Sequence, residues 1–189
     1  MKRSSLIISL TVLWIAVSPA QEMLVPVDVQ LPLFLKLLAF DRNLKTRVGN
    51  EIVIGIVYQR IFRTSLNVKD EWLGEIDKSS IKKIQEIPIH YVTVDISDKI
   101  DLAKAISRDH IDILYIAPLR AVKIETITSV SRAKQVITLT GVPDYVESGL
   151  AVGIGIKGEK PQFIINLPVA KAEGADLSSQ VLKLAKVIQ

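Results

Sequence analysis

The 189-residue chain contains no cysteine, only two histidines, and only four phenylalanines and four tyrosines. Without cysteine it can form no disulfide, no thiolate metal site and no thiol nucleophile. The histidines are far apart, His90 in a strand-like segment and His110 just before another, and no cluster of carboxylates accompanies either. We therefore predict no metal site, no cofactor and no general-base catalysis.

The motifs of common enzyme classes are missing too. No Gly-x-Ser-x-Gly elbow occurs. The glycine-rich run at residues 149–155 comes late in the chain, has the pattern of a strand and opens no helix, so it does not indicate a dinucleotide site. Basic residues are dispersed rather than clustered, which argues against a nucleic-acid partner. The sequence therefore predicts a protein that is not an enzyme.

The N-terminal segment predicts an exported protein. A short cationic start precedes a mostly apolar core at residues 6–17, and Ser18 and Ala20 provide the small residues that signal peptidase requires. This core is shorter than the roughly 20 residues of a membrane-spanning helix. We expect residues 1–20 to be a cleaved signal peptide and residues 21–189 to be a single periplasmic domain without stable membrane insertion.

Four apolar, β-branched segments predict the strands of a parallel sheet. They are nearly continuous in apolar residues, which is typical of strands buried on both faces, and segments with helical spacing alternate with them. This alternation predicts an α/β domain, a three-layer sandwich with helices on both faces of a mostly parallel sheet. The predicted strands are EIVIGIVY (51–58), PIHYVTVD (88–95), DILYIAP (112–118) and QVITLT (135–140), and the predicted helices are 27–40, 65–84, 98–109 and 121–133.

The last third of the chain predicts a C-terminal β-hairpin followed by a terminal helix. Two apolar segments flank a polar, glycine-containing turn at residues 157–160. Pro168 suits the start of a short helix and Gly174 suits its end. Asp176 then suits the cap of a last helix that extends to Ile188 and packs against the sheet.

Polar side chains follow the predicted strands at one edge of the sheet. Ligands of open parallel sheets bind outside the carboxyl ends of the strands, so these side chains are candidate ligand-binding residues. A small anion could bind between Arg60 or Arg120 and a helix start, or both arginines could be ordinary solvated loop residues. The candidates are Tyr58, Gln59, Arg60, Arg120, Thr140 and Asp144.

The first predicted helix is apolar on nearly every side, and such a helix must be covered on more than one face. Either the domain covers it as a central core helix, or a protein partner does. In the second case the contact residues are Phe34, Leu37, Leu38, Phe40 and Phe62.

Several C-terminal segments go beyond generic architecture. IINLPVAKAEGADLSSQVLKLAKVI, preceded by GLAVGIGIKGEKPQF, resembles the C-terminal signature of the YfiR/HmsC-like family. The upstream segments ILYIAP and VITLTGVPDYVESG resemble the central strand of the family and the loop after its fourth strand. The matching residues are Gly149, Gly153, Phe163, Ile165, Asn166, Leu167, Ala170, Gly174, Leu177, Ser178, Ser179, Gln180, Leu182, Leu184 and Ala185.

The resemblance implies a non-enzymatic regulator in the periplasm. Characterised members of the family restrain the periplasmic sensor domain of a membrane-bound diguanylate cyclase and so lower cyclic di-GMP and biofilm formation. The implied partner is therefore an inner-membrane signalling protein with a periplasmic sensor domain, and a homodimer is compatible with this role.

Two departures from the family pattern limit what the resemblance implies. The absence of cysteine removes the disulfides that some members use for stability or redox control, and AFDRNL (39–44) replaces an aromatic-Trp-Pro element often seen after the first helix. The contact surface for the partner can therefore differ. The alternative function is a small-ligand receptor that resembles half of a solute-binding protein, with the strand-end loops as its site.

Overall fold

A computed structural model of the protein describes residues 23–98 and 101–189. The predicted signal peptide lies outside these ranges. In chain order the elements are α1 (Val27–Leu38), α2 (Leu44–Arg47), β1 (Ile52–Tyr58), α3 (Arg63–Lys78), β2 (Lys83–Ile84), β3 (Ile87–Asp95), α4 (Leu102–Arg108), β4 (Ile113–Ile116), α5 (Ile124–Lys134), β5 (Ile137–Thr140), α6 (Pro143–Glu147), β6 (Val152–Lys157), β7 (Lys160–Asn166), α7 (Leu167–Ala172), α8 (Ser179–Leu184) and β8 (Lys186–Ile188).

Strand β1 is buried on both faces because its alternating side chains enter two different cores. Ile52, Ile54 and Ile56 belong to one core, which includes residues of α1, α3, α7 and α8. Val53 and Val57 belong to the other core, with residues of α4, α5 and α6. Helices therefore cover both faces of the sheet, and the predicted three-layer α/β sandwich is confirmed.

The strands form one mixed sheet in the order β2-β3-β1-β4-β5-β6-β7-β8. Strands β3, β1, β4, β5 and β6 run parallel to one another. Strand β7 returns antiparallel to β6 as the predicted hairpin. The turn between them contains Gly158 at φ +63°, a backbone conformation that favours glycine.

Helix α1 lies in the centre of the first core rather than at the surface. Phe34, Leu37 and Leu38 are buried. The Phe34 ring centroid lies 6.4 Å from that of Trp72 and 6.2 Å from that of Tyr115. The other helices and the sheet of this domain thus enclose these three residues, which corrects the expectation that they contact a partner.

The helices predicted at residues 27–40 and 65–84 both end earlier than predicted. Helix α1 begins at Val27, as predicted, but ends at Leu38. Helix α3 ends at Lys78 because Ser79 has an extended backbone, with φ −62° and ψ 132°. The chain then forms β2 instead of continuing as a helix to residue 84.

The last residues form a strand, so the predicted helix through Ile188 is wrong. Helix α8 ends at Leu184, and Ala185 has an extended backbone with ψ 158°. Strand β8 then pairs in parallel with β7. This pairing provides partners for backbone groups along the outer edge of β7, which a helix would leave without them.

Gly153 in β6 packs too closely against α6 for a side chain. A Cβ atom there would lie 2.4 Å from Val146 Cγ2. We therefore expect Gly153→Ala to lower the free energy of unfolding by roughly 1–3 kcal/mol. No neighbouring atom lies within 4 Å of a Cβ built at Gly74 in α3. Gly74→Ala should therefore raise the free energy of unfolding by up to about 1 kcal/mol. Urea unfolding of both variants measures the difference, and equal effects would contradict this packing.

Candidate functional site at the strand ends

The parallel strands end together at one edge of the sheet. Strands β1, β3, β4 and β5 end at Tyr58, Asp95, Ile116 and Thr140. From β1 the chain crosses to β3 on one side and then to β4 on the other, so the strand order reverses between β1 and β4. Ligand sites of open α/β sheets lie outside such a reversal point. The loops after β1 and β4 are therefore the candidate site.

Gln59 occupies the space between these two loops. Its side chain is buried, and its Oε1 accepts a 2.6 Å hydrogen bond from the backbone N–H of Arg120. Its own backbone N–H donates to Ser65 Oγ in α3 at 2.9 Å. Gln59 therefore holds the two loops together, which corrects the expectation that its side chain binds a ligand.

Thr140 is also engaged inside the protein. It is buried, and its hydroxyl donates to the Ile116 carbonyl oxygen at 3.0 Å. The same hydroxyl accepts a 3.1 Å hydrogen bond from the Val142 N–H. These bonds fix the turn after β5 against the end of β4, so Thr140 serves the fold and not a ligand.

Arg60 forms an ion pair on the β3 side of β1. Its Nε lies 3.1 Å from Asp95 Oδ2, and its backbone N–H donates to Asp95 Oδ1 at 3.1 Å. Partial burial of Asp95 opposes its ionisation, but hydrogen bonds from Ser97 and Arg60 outweigh this effect and lower its pKa to about 2. Asp95 is therefore ionised near neutral pH and anchors Arg60.

The two candidate arginines do not converge. Arg60 is engaged on the β3 side of β1, whereas Arg120 follows β4 on the opposite side. Arg120 and Asp144 are exposed, while Tyr58 is half-buried with Lys69 Nζ 5.3 Å from its ring centroid. The described residues therefore provide no anion site clamped between both arginines.

The loop after β1 presents an apolar tip that the sequence did not predict. Ile61 is 76% exposed, and its backbone N–H donates to Ser97 Oγ at 3.3 Å. Phe62 is half-buried where α3 begins, and Phe40, which follows α1, is 43% exposed. Of the predicted contact residues, only Phe40 and Phe62 thus retain accessible surface in this structure.

Asp41 in the AFDRNL element is a fully buried carboxylate with three partners. Its Oδ2 lies 2.7 Å from the Arg47 guanidinium. Its Oδ1 accepts hydrogen bonds from the backbone N–H groups of Asn43 at 3.0 Å and Asp176 at 2.9 Å. The neighbouring Arg42 pairs with the Asp176 carboxylate at 2.8 Å. The element therefore joins the end of α1 to the segment before α8.

Glu173, which follows α7, is a second buried carboxylate. Its Oε1 accepts a 2.6 Å hydrogen bond from Ser131 Oγ in α5, and its Oε2 accepts one of 2.8 Å from the Thr138 N–H in β5. Burial raises the pKa of Glu173 to about 7, although these bonds oppose the shift. Glu173 therefore joins three elements and changes its charge near neutral pH.

Two surface clefts lie away from the strand ends. A cleft of about 320 Å³ separates the start of α1 from α3, and one of about 180 Å³ lies between α7 and α8. Neither cleft is lined by a predicted ligand-binding residue. Within residues 23–98 and 101–189, no group of three or more His, Asp or Glu side chains could hold a metal ion. No helix in these ranges has the length and apolar character needed to cross a membrane.

The sequence pattern of one protein family, described as DUF4154, YfiR/HmsC-like, matches residues 50–186. The match extends from β1 through the strand-end loops and the hairpin to β8. The chain belongs to the YfiR/HmsC-like family. This family is regulatory, periplasmic and non-catalytic. No curated protein matches this YfiR-like chain.

Solved structures share the fold of the YfiR-like protein at low identity, so they show the fold alone. An ABC domain from Streptococcus pneumonia in complex with L-Trp is 16% identical, with a TM-score of 0.55 and coverage of 82% of this chain and 61% of that one. A conserved domain protein from Vibrio cholerae is 15% identical, with a TM-score of 0.56 and coverage of 87% and 60%. A ligand-free, open substrate-binding protein with adhesive properties from Clostridium difficile is 17% identical, with a TM-score of 0.53 and coverage of 78% and 57%. The chain thus spans less than two thirds of the length of these proteins.

The buried Glu173 should make stability depend on pH. Its pKa in the folded protein, about 7, lies above the ordinary value of 4.5, so the folded state binds the proton more tightly than the unfolded state. The stabilising contribution is therefore fully present below pH 4.5 and is lost as the pH rises through about 7. The loss is on the order of 3 kcal/mol. Glu173→Gln, which stays neutral, should remove this part of the pH dependence.

The measurement is urea unfolding of both proteins between about pH 5 and pH 8. Glu125→Gln, at an exposed position of α5, is the matched control and should keep the pH dependence of the wild type. If Glu173→Gln also kept it, Glu173 would not be the group that titrates.

Proposed function

We propose that this YfiR-like protein is a non-catalytic periplasmic regulator that binds an inner-membrane signalling protein and restrains it in an inactive state. A diguanylate cyclase with a periplasmic sensor domain is the partner that the family implies, and its inhibition would lower cyclic di-GMP and biofilm formation. The observation that carries this proposal is the family match over residues 50–186. Export would depend on the signal peptide at residues 1–20.

The strand-end surface around Ile61 suits a contact with a protein. Ile61 is the apolar centre of this surface, and the exposed side chains of Arg60 and Asp98 lie around it. Protein interfaces commonly have this apolar centre and charged rim. The loop is already fixed by Asp95 and Ser97, so binding would cost little conformational entropy. Gln59 fills the crevice beside it, which favours a large partner over a small ligand.

Restraint of this kind requires no chemistry. A protein that binds the inactive conformation more tightly than the active one shifts the population by the difference in affinity. Reversing a 1:99 preference to 99:1 requires about 10⁴-fold tighter binding to the favoured state. An extended interface with a fixed surface can provide such a difference, because a conformational change in the partner moves many contacts at once.

Ile61→Asp tests this surface. The variant should fold normally because the side chain is mostly in solvent, yet its binding to the purified sensor domain should weaken by about tenfold or more, since it places an unpaired charge at the interface. Isothermal titration calorimetry measures the affinity. Leu184→Asp is the matched control, because Leu184 is 75% exposed and lies beside β8 at the far end of the sheet.

Deletion of the gene and complementation with variants test the regulatory role and the Ile61 contact surface independently. Cyclic di-GMP should rise in the deletion strain and return to its original level with the wild type or Leu184→Asp, but not with Ile61→Asp. Unchanged cyclic di-GMP after deletion would refute the regulatory role. If Ile61→Asp restored the level fully, the regulatory role would stand and the contact surface would lie elsewhere.

A second candidate function is a small-ligand receptor, which the likeness to a domain in complex with L-Trp and to a substrate-binding protein favours. At the strand ends, Arg120 and Asp144 remain exposed and available to a ligand. A thermal-shift screen of metabolites that includes L-Trp should then find a ligand that stabilises the protein by about 2.7 kcal/mol at 100 times its Kd. Arg120→Ala should abolish the shift. A shift that persists in both Arg120→Ala and Arg60→Ala would place the ligand elsewhere.

A further inference from the structure

Met23 lies where the two cores meet, at the edge of the sheet where the parallel strands end. Its side chain is half-buried and packs against apolar residues of both cores. The sulfur lies 3.6 Å from the hydroxyl of Tyr115, near the end of β4. The Gln30 side chain beside it approaches Gly141, directly after β5, so closely that a Cβ there would lie 2.5 Å from the Gln30 amide. Met23 therefore covers the ends of β4 and β5.

Two buried polar side chains face the Met23 sulfur. Gln30 Nε2 lies 3.8 Å from it and Tyr115 Oη 3.6 Å, and both side chains belong to residues with no exposed surface. The Gln30 amide donates one hydrogen to the Val25 carbonyl oxygen at 2.6 Å, and its Oε1 accepts a 3.0 Å hydrogen bond from Tyr115 Oη. Among the described residues, the second amide hydrogen has the sulfur as its acceptor. A thioether is a weak acceptor, so this buried donor is poorly satisfied.

Met23 is also the sulfur atom of this chain that an oxidant can reach. The sequence contains no cysteine, and its other methionine, Met1, belongs to the predicted signal peptide. The half-buried position leaves part of the Met23 side chain in contact with solvent, whereas Trp72 nearby is 1% exposed. Oxidation of methionine to the sulfoxide is reversible, because dedicated reductases restore the thioether. Oxidants that act on sulfur are therefore directed to this one side chain.

We propose that Met23 is a site of reversible oxidation, and that the oxygen of its sulfoxide binds the Gln30 amide and the Tyr115 hydroxyl. Hydrogen peroxide transfers one oxygen atom to the sulfur. The O–O bond breaks, an S–O bond forms, the sulfur loses two electrons, and the second oxygen leaves as water with both hydrogens. A methionine sulfoxide reductase reverses the change: two thiols become a disulfide, and the oxygen leaves as water.

The site has room for the new oxygen. A hydrogen bond to oxygen requires a donor–acceptor distance of about 2.7–3.2 Å. The sulfur lies 3.6 and 3.8 Å from the two donors, so an oxygen bonded to it can reach both if the S–O bond points to one side of the lines that join them. The sulfoxide oxygen is a stronger acceptor than the thioether sulfur. The buried amide hydrogen of Gln30 thus gains the partner that it lacks.

This geometry predicts an unusual sign for the effect of oxidation on stability. A sulfoxide in an apolar core generally disrupts packing, because it places a polar group among apolar ones. At Met23 the polar oxygen meets donors that are already buried, so oxidation should stabilise the fold. One such hydrogen bond should raise Tm by about 2–4 °C in a domain of this size. The chain would then respond to oxidants through a thioether, without cysteine and without a signalling partner.

Peroxide treatment of the purified exported protein tests the site. Peptide mass spectrometry should locate one added oxygen at Met23, and differential scanning calorimetry should show the rise in Tm. Treatment with the two methionine sulfoxide reductases, one for each epimer, should remove the oxygen and return Tm to its original value. Met23→Leu, which fills a similar apolar space and cannot react, should have the same Tm before and after peroxide.

Two variants test the donors, each by the difference in Tm between its oxidised and reduced forms. Tyr115→Phe keeps the ring that packs against Phe34 and Trp72 but removes the hydroxyl, so the rise should shrink. Gln30→Leu removes the amide, so oxidation should lower Tm instead. Tyr91→Phe is the matched control and should keep the full rise, because the Tyr91 hydroxyl has no hydrogen-bond partner among the described residues.

Three results would overturn the proposal. The first is a wild type that peroxide leaves unmodified at Met23 under conditions that oxidise the urea-unfolded protein completely. The second is an oxidised wild type whose Tm is unchanged or lower. The third is a full rise in Tyr115→Phe, which folds around an unchanged ring and so remains informative even if Gln30→Leu does not fold.

Discussion

Burial of β1 on both faces is the constraint on which the other elements depend. Every residue from 52 to 57 is buried, so neither face of the strand can be exposed without loss of a core. A shift of one residue would exchange the isoleucines of one core with the valines of the other. This fixes the register of β3 and β4 beside β1, and with it the positions of the loops after Tyr58 and Ile116. The strand-end surface is therefore a consequence of how the core packs.

The central architecture could be predicted because its signals are local and strong. The run at residues 51–58 is long, apolar and β-branched, and helices alternate with such runs. The strand at the C-terminus could not be predicted, because the short segment Lys186–Ile188 suits either a helix end or a strand. The free edge of β7 decides between them. The orientation of α1 likewise depends on distant residues, since Trp72 and Phe163 pack against Phe34.

The placement of the candidate residues at the strand ends could be predicted, but the contacts of each side chain could not. The sequence places Gln59 and Thr140 at strand ends, yet it does not show that a backbone N–H from another loop and a carbonyl from another strand engage them. Asp41 and Glu173 had no local signal at all. Asp41 binds a backbone group 135 residues away, and Glu173 binds groups 35 and 42 residues away. Sequence patterns of helices and strands carry no information on such distant contacts.

The bonds of Asp41 also explain how this chain maintains a long-range connection without cysteine. A disulfide that closes a loop of more than about 100 residues contributes on the order of 4–5 kcal/mol. A hydrogen bond to a charged group contributes about 1.5–3 kcal/mol and a neutral one about 0.5–1.5 kcal/mol. The Asp176 N–H bond to Asp41 and the two backbone bonds beside it, from Arg42 to Asp176 and from Ser178 to Phe40, therefore reach a comparable sum. They depend on a dry, paired carboxylate and not on the oxidation state of a thiol. The stability of this connection is therefore independent of redox conditions, whereas the charge of the buried Glu173 still responds to pH.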